Sequence, residues 1–164
     1  IMRLKQTEIL QEEWVSRKKD LPVKNKSELL ILASIVEKEA ASVTEMSKVA
    51  SVFMNRLKKK MRLQSDPTVI YGSMDASGSL GRRLTRKDLA EDHPYNTYIH
   101  GGLPPGPIAN PGRAALEAAL NPAETDAFYF VADGTGGHAF ARTLKEHNRN
   151  VAAWRKISRR KKIP

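Results

Sequence analysis

The sequence predicts an α+β fold, a mostly helical body around one helix that carries Glu37 and Glu39, with a small antiparallel β-sheet. Three observations predict it. Leu29 onward (LLILASIVEKEA) is almost wholly apolar at helical spacing. Met46–Lys59 follows after a short break as a second helix, with Val49, Val52, Phe53 and Leu57 on one face. Phe128–Ala132 and His138–Arg142 are rich in strand-forming residues and flank the tight turn Asp133–Gly137, which reads as a β-hairpin. With 164 residues, 40% of them hydrophobic and 28% charged, the chain suits one domain with a real core.

Composition narrows the function classes. There is no cysteine, which excludes disulfides, thiol catalysis and Cys-ligated metal. No HExxH, CxxC or EF-hand pattern occurs, so neither a metal site nor a cofactor is expected. No run of 18 apolar residues spans a membrane. The abrupt start at Ile1, in an amphipathic segment without a signal peptide, is that expected of a fragment of a longer protein. The net charge of +10 asks for a polyanionic neighbour: nucleic acid, an anionic membrane surface, or an acidic polymer such as a peptide-bearing wall glycan. Part of the excess is local, in Lys58–Arg62 and in the tail Arg155–Lys162, and such runs also serve as solvated faces. A nucleic-acid module is disfavoured by only 6% aromatics and by the absence of a recognition motif.

The remaining elements follow in order. Met2–Lys19 reads as an amphipathic helix with Leu4, Ile9, Leu10, Trp14 and Val15 on its stripe, closed by Asp20-Leu21-Pro22. Ser27 is the expected N-cap of the Glu37/Glu39 helix, which runs to about Ala41. Ser42-Val43-Thr44 breaks it, and an antiparallel helical hairpin then places Asn55 and Arg56 at the far end of the second helix. There they either turn inward or cap the helix end. Met61–Gly72 reads as a loop or short strand, with Asp66-Pro67-Thr68 as a turn and Gln64, Ser65, Asp66 and Thr68 as a dense polar group. Ser73–Gly81 is an exposed loop, and Thr85 caps a short helix. Tyr95-Asn96-Thr97-Tyr98 combines flat rings with amide and hydroxyl groups, which suits sugar recognition. Gly101–Ile108 reads as an ordered loop lining a cleft. Asn110-Pro111-Gly112 starts the helix Arg113–Leu120, and Leu144–Ile157 closes the fold, with Leu144, Val151 and Trp154 facing the core. His138 reads first as a structural histidine.

The two glutamates carry the chemistry. On a helix advancing about 100° per residue, Leu32, Ala33, Val36 and Ala40 cluster on one side, and Glu37 and Glu39 fall roughly 80° to either side of it. Each sits at the edge of a buried face, where desolvation raises a carboxylic acid's pKa and lets it hold a proton near neutrality. Helix geometry does not choose between them.

The blocks ASIVEKEA (33–40), VASVFMNRL (49–57), MRLQSDPTVIYG (61–72), YNTY (95–98), GLPPGPIANPG (102–112) and YFVADGTGGHAF (129–140), in this order, resemble the catalytic domain of the MltG/YceG-like family of bacterial endolytic murein transglycosylases. Ser65 stands where the family commonly has Thr, and Ala40 where Thr is frequent beside the acid, so what orients that acid stays open. The resemblance implies residues 27–157 as the catalytic domain, 1–26 as an N-terminal helix left from a preceding subdomain, and 158–164 as a basic tail. It implies cleavage of the β-1,4 bond after N-acetylmuramic acid in peptidoglycan, leaving a 1,6-anhydro end and terminating nascent strands. Its catalytic acid maps onto Glu39. Asn55, Arg56, Gln64, Ser65, Asp66, Thr68, Tyr95, Asn96 and Tyr98 are the expected substrate-binding residues, with Glu37 structural or tuning. It further implies a membrane-anchored full-length protein, its catalytic domain on the extracytoplasmic side of the inner membrane, near penicillin-binding synthases. A hydrolase of the same substrate, and a non-catalytic scaffold for wall synthesis, are the alternatives.

Overall fold

The computed structural model describes residues 2–74 and 78–161. Three helices make the core: α2 (Lys26–Glu39), α3 (Met46–Lys58) and α6 (Arg113–Leu120) pack on one another. Leu29, Leu32, Ile35 and Val36 of α2, Val49 and Phe53 of α3, and Leu116 and Leu120 of α6 are buried together. Burying one such side chain contributes about 1.5–3 kcal/mol. Asn25, not Ser27, caps α2: its side chain accepts from the Glu28 N–H at 2.9 Å, and the Glu28 carboxylate reaches back to the Lys24 N–H at 2.7 Å. The helix stops at Glu39 because Ala40 is extended, with ψ 133°. A 3₁₀ turn, Val43–Glu45, leads into α3.

Helix α1 (Met2–Glu13) is shorter than the predicted Met2–Lys19. A turn bonds its last carbonyls, with the Ser16 N–H donating to Glu13 O at 3.1 Å, and side chains reinforce it. Ser16 Oγ donates to Glu13 O at 3.0 Å, and Arg17 donates to Trp14 O at 2.8 Å, with its guanidinium 4.0 Å from the Trp14 ring. Leu10 is buried, but Val15, past the helix end, is 85% exposed. The side chain of Leu4 lies outside the described residues, as do residues 75–77 of the predicted 73–81 loop and Lys162 of the tail.

The segment read as a loop or short strand holds a helix, α4 (Asp66–Ser73). Asp66-Pro67 is a helix start here, since proline's fixed φ suits the first turn and its missing N–H is not needed there. Thr68 Oγ1 donates to Ser65 O at 2.7 Å and closes that turn. A short helix α5 (Arg86–Ala90) carries a capping box between Thr85 and Asp88, and Arg82 grips Asp88 with two bonds of 2.6 and 2.7 Å. The Gly/Pro stretch is ordered, pinned to α2 by the Ile108 N–H donating to Ser34 Oγ at 3.0 Å.

Strands β1 (Tyr129–Ala132) and β2 (His138–Ala141) form the antiparallel hairpin, pairing Tyr129 with Ala141 and Ala132 with His138. Gly134 and Gly136 turn it with φ of 88° and 92°. Phe130 seats the hairpin edge-on against Phe53, ring centres 5.8 Å apart. Helix α7 (Leu144–Lys161) runs past the predicted Ile157, because basic residues suit a helix C-terminus and Lys161 Nζ donates to Gly134 O at 2.9 Å. It packs on the hairpin, and none of its described residues is fully buried. Val151 and Trp154 are half-buried, whereas Leu144, expected in the core, is 56% exposed.

Candidate active site

The end of α2 sorts the two glutamates. Glu37 turns to the start of α6, where its carboxylate accepts the Gly112 N–H at 3.0 Å and caps that helix. Glu39 turns into a cavity of about 460 Å³. Phe53 and Arg56 of α3, Gln64 and Asp66 before and at the start of α4, and Tyr98 line it on the helical-body side. Tyr129 and Phe130 of the hairpin and Leu144, His147 and Asn148 of α7 complete it.

Burial pushes the Glu39 carboxyl up to about 7, and the nearby Asp66 charge adds to the rise. The Ser65 hydroxyl, donating to Glu39 Oε1 at 2.7 Å, and the charge field of His138 oppose it. Ser65 is the group that orients the acid, the question left open by Ala40. It is itself built in: its N–H donates to Thr97 Oγ1 at 2.9 Å, Thr97 shares a 2.8 Å bond with Thr68, and the Gln64 N–H donates to Thr97 O at 3.2 Å. Gln64 adopts φ 51°, a left-handed conformation that turns the chain into Ser65. Such a conformation costs a non-glycine residue about 1–2 kcal/mol and is held by its surroundings.

Residues 1–153 match the YceG-like family. The chain belongs to that family. It is 50% identical over 149 residues to the endolytic murein transglycosylase of Bacillus subtilis, covering 89% of this chain and 39% of that protein. It is 42% identical over 132 residues to the endolytic murein transglycosylase of Streptococcus pneumoniae, covering 77% of this chain and 23% of that one. The crystal structure of a YceG-like protein from Listeria monocytogenes superposes with a TM-score of 0.69 at 43% identity, over 88% of this chain and 42% of that one. The chain thus spans less than half the length of these relatives.

On this YceG-like scaffold the residues expected to bind substrate divide. Arg56, Gln64, Asp66 and Tyr98 line the cavity with Glu39. Arg56 turns inward: it is 7% exposed, with Nε donating to Phe128 O at 2.6 Å and Nη1 to Arg62 O at 2.9 Å and Leu63 O at 3.2 Å. Burial holds its pKa below the usual guanidinium value. Tyr98 donates to Asp66 Oδ1 at 2.6 Å, and burial and that bond push its own pKa up.

The structure gives the other five a different task. Ser65 and Thr68 are fully buried and bonded within the acid's support. Asn96 is fully buried too; its amide donates to Leu89 O at 3.1 Å and Glu91 O at 2.7 Å, and its oxygen accepts the Tyr98 N–H at 2.9 Å. Asn55 donates at 2.9 Å to both Thr125 O and Ala127 O and lines a different cavity, between α3 and the linker to the hairpin. Tyr95 packs on Tyr71, ring centres 4.8 Å apart, and does not line the Glu39 cavity. The Gly/Pro loop, expected to line a cleft, contributes no residue to that cavity either. His138 has a structural partner: its Nδ1 and backbone N–H each lie 2.8 Å from the Glu45 carboxylate.

Sequence reasoning missed Thr97 as the hub of the support, and it missed the α7 contribution. Leu144, His147 and Asn148 recur at i, i+3 and i+4, so they share one helix face. The sequence shows that spacing, but the packing stripe expected of this helix, Leu144, Val151 and Trp154, leaves out His147 and Asn148. Among the described residues no cluster of His, Asp or Glu is arranged to hold a metal ion.

Proposed function

We propose that this chain is the catalytic core of an endolytic lytic transglycosylase that cleaves the glycan strands of peptidoglycan. The observation that carries this reading is Glu39: one carboxyl at the wall of an open cavity, raised to about 7 and oriented through Oε1 by Ser65. A group titrating there is close to half protonated at neutral pH, which suits proton transfer in both directions. The names of the Bacillus and Streptococcus relatives support the same substrate.

In this mechanism Glu39 Oε2 donates its proton to the glycosidic oxygen as the C1–O bond breaks, and N-acetylglucosamine leaves as the alcohol. The carboxylate so formed takes the proton of the 6-hydroxyl of N-acetylmuramic acid while that oxygen bonds to C1. The products are a new glycan end and a 1,6-anhydro ring, with Glu39 reprotonated and no water consumed. Intramolecular attack gains from high effective molarity once the ring is held. Asp66, fixed by Tyr98, stabilises the positive charge that develops at C1, and the aromatic faces of Tyr129 and Phe130 pack on the sugar. The full-length protein is membrane-anchored with this domain on the extracytoplasmic side, near penicillin-binding synthases, where cleavage terminates growing strands. Among the described residues no helix is long and apolar enough to cross a membrane.

One observation favours a second reading. Asp66 shares the cavity with Glu39, and a paired carboxylate with room for water makes a glycoside hydrolase. Purified glycan strands incubated with the wild type and with Glu39→Gln separate the possibilities. Anhydro ends that disappear in the variant support the lyase, reducing ends support the hydrolase, and full activity of Glu39→Gln removes Glu39 from the chemistry.

A further inference from the structure

The wall of the cavity built from α7 and the hairpin holds an unusual histidine. His147 projects from α7 beside Asn148, and its ring stacks on Tyr129 with centres 5.0 Å apart and planes 22° from parallel. Its Nδ1 is buried and has no hydrogen-bond partner. Buried polar atoms are rarely left so, because the unmade bond costs stability. Nε2 is not walled off in this way, so it is the nitrogen left to the cavity. Burial and the Arg56 charge hold the ring below the usual histidine pKa, which keeps it neutral at neutral pH. A neutral imidazole carries one proton, and an unpartnered buried lone pair is more tolerable than an unpartnered buried N–H. Nδ1 is therefore the bare nitrogen, and the proton sits on Nε2.

We propose that His147 is a substrate-binding residue, donating a hydrogen bond from Nε2 to a neutral oxygen, hydroxyl or acetamido carbonyl, of the sugar held beside Glu39. This rests on the reading of the cavity as a glycan site. The stack on Tyr129 fixes the ring plane, and α7 and the hairpin carry donor and aromatic face together. A neutral donor fits this place. The cavity already holds the fixed positive charge of Arg56 and the carboxylates of Glu39 and Asp66, and a second cation would draw the proton from Glu39.

The test uses a peptide-free tetrasaccharide of alternating N-acetylglucosamine and N-acetylmuramic acid, bound to Glu39→Gln protein so that no cleavage intervenes. His147→Phe keeps the ring and the stack but removes the donor. His147→Gln places an amide N–H close to the Nε2 position, and His147→Asn places one close to Nδ1. Losing one such bond weakens binding about fivefold. The expected order of affinity is His and Gln close together, with Phe and Asn about fivefold weaker. His147→Phe should also melt higher than the parent, since it removes the unpartnered nitrogen. Imidazole ¹⁵N shifts should show the Nε2–H tautomer at neutral pH and a shift at Nε2 when the sugar is added. Equal affinity of His147→Phe and parent, rescue by Asn instead of Gln, or an Nδ1–H tautomer would overturn the inference while leaving the role of Glu39 intact. Failure of the parent to bind the tetrasaccharide would overturn the glycan reading together with it.

Discussion

Replacing Glu39 by Gln should stabilise the protein at neutral pH while abolishing cleavage. The carboxyl titrates near 4.5 when unfolded and at about 7 when folded. Below 4.5 both states hold the proton and Glu39 costs nothing extra. Between 4.5 and 7 the unfolded chain ionises while the folded one stays protonated, so stability falls as pH rises. Above 7 both are ionised and the full cost is present. The difference of 2.5 units at 1.36 kcal/mol each gives about 3 kcal/mol as the upper figure. Gln is the same shape, stays neutral throughout and can still accept from Ser65. Urea unfolding of both proteins at pH 4, 6 and 8 isolates this term, because the other titrating groups cancel in the difference. The gap between variant and wild type should widen by up to about 3 kcal/mol from pH 4 to pH 8. A gap that stays flat within a few tenths of a kcal/mol would refute the claim that burial tunes this acid.

Further consequences follow from the support of the site. Ser65→Ala removes a bond that favours ionised Glu39; such a charge-assisted bond is worth about 1.5–3 kcal/mol, so the limb of the pH–rate profile where activity falls with rising pH should move up by about one to two units. Turnover should also drop about tenfold because the acid is no longer oriented; an unmoved limb would break the link. Asn96→Ala strands the carbonyls of Leu89 and Glu91 and should cost about 2–3 kcal/mol in denaturant unfolding. The KM of the folded fraction should stay unchanged, since Asn96 does not reach the cavity; a raised KM with unchanged stability would restore it as a sugar ligand. Gly134→Ala forces a side chain into φ 88° and brings its Cβ to 2.8 Å from Ile157 Cγ2, so it should destabilise by about 1–2 kcal/mol. It should also loosen α7 from the hairpin, which hydrogen exchange would read as faster exchange of α7 amides.

The helical body and the hairpin were legible because their signals are local. Leu29–Val36 carries its own apolar period, Arg113–Leu120 sits between Pro111-Gly112 and Asn121-Pro122, and both strands flank glycines that only a tight turn needs. Glu39 was legible as one of two candidates. Helix geometry put both glutamates at the edge of the buried face, and resemblance chose between them. The structure shows what local reasoning lacks: Glu37 finds the Gly112 amide 75 residues away, and Glu39 finds Ser65. Polar residues misled for the same reason. Asn96, Thr68 and Asn55 suit sugar recognition as clustered polar residues, but the structure engages them with the protein's own groups: nearby carbonyls for Asn96, the Thr97 hydroxyl for Thr68 and the distant Thr125 carbonyl for Asn55. Asp66-Pro67 was read as a turn because the residues that open a turn also open a helix, and only the burial of Val69 behind them decides. His147 shares a helix face with Leu144 and Asn148, but its place in the cavity depends on how α7 docks on the hairpin.

The central claim is that Glu39 moves a proton while the sugar's own hydroxyl, not water, attacks C1. Cleavage of purified glycan strands in ¹⁸O-labelled water tests it directly by product mass. This account predicts unlabelled 1,6-anhydro ends, one water lighter than reducing ends and absent with Glu39→Gln. Reducing ends carrying ¹⁸O would contradict it and make Asp66 the carboxylate to examine as the partner that activates water.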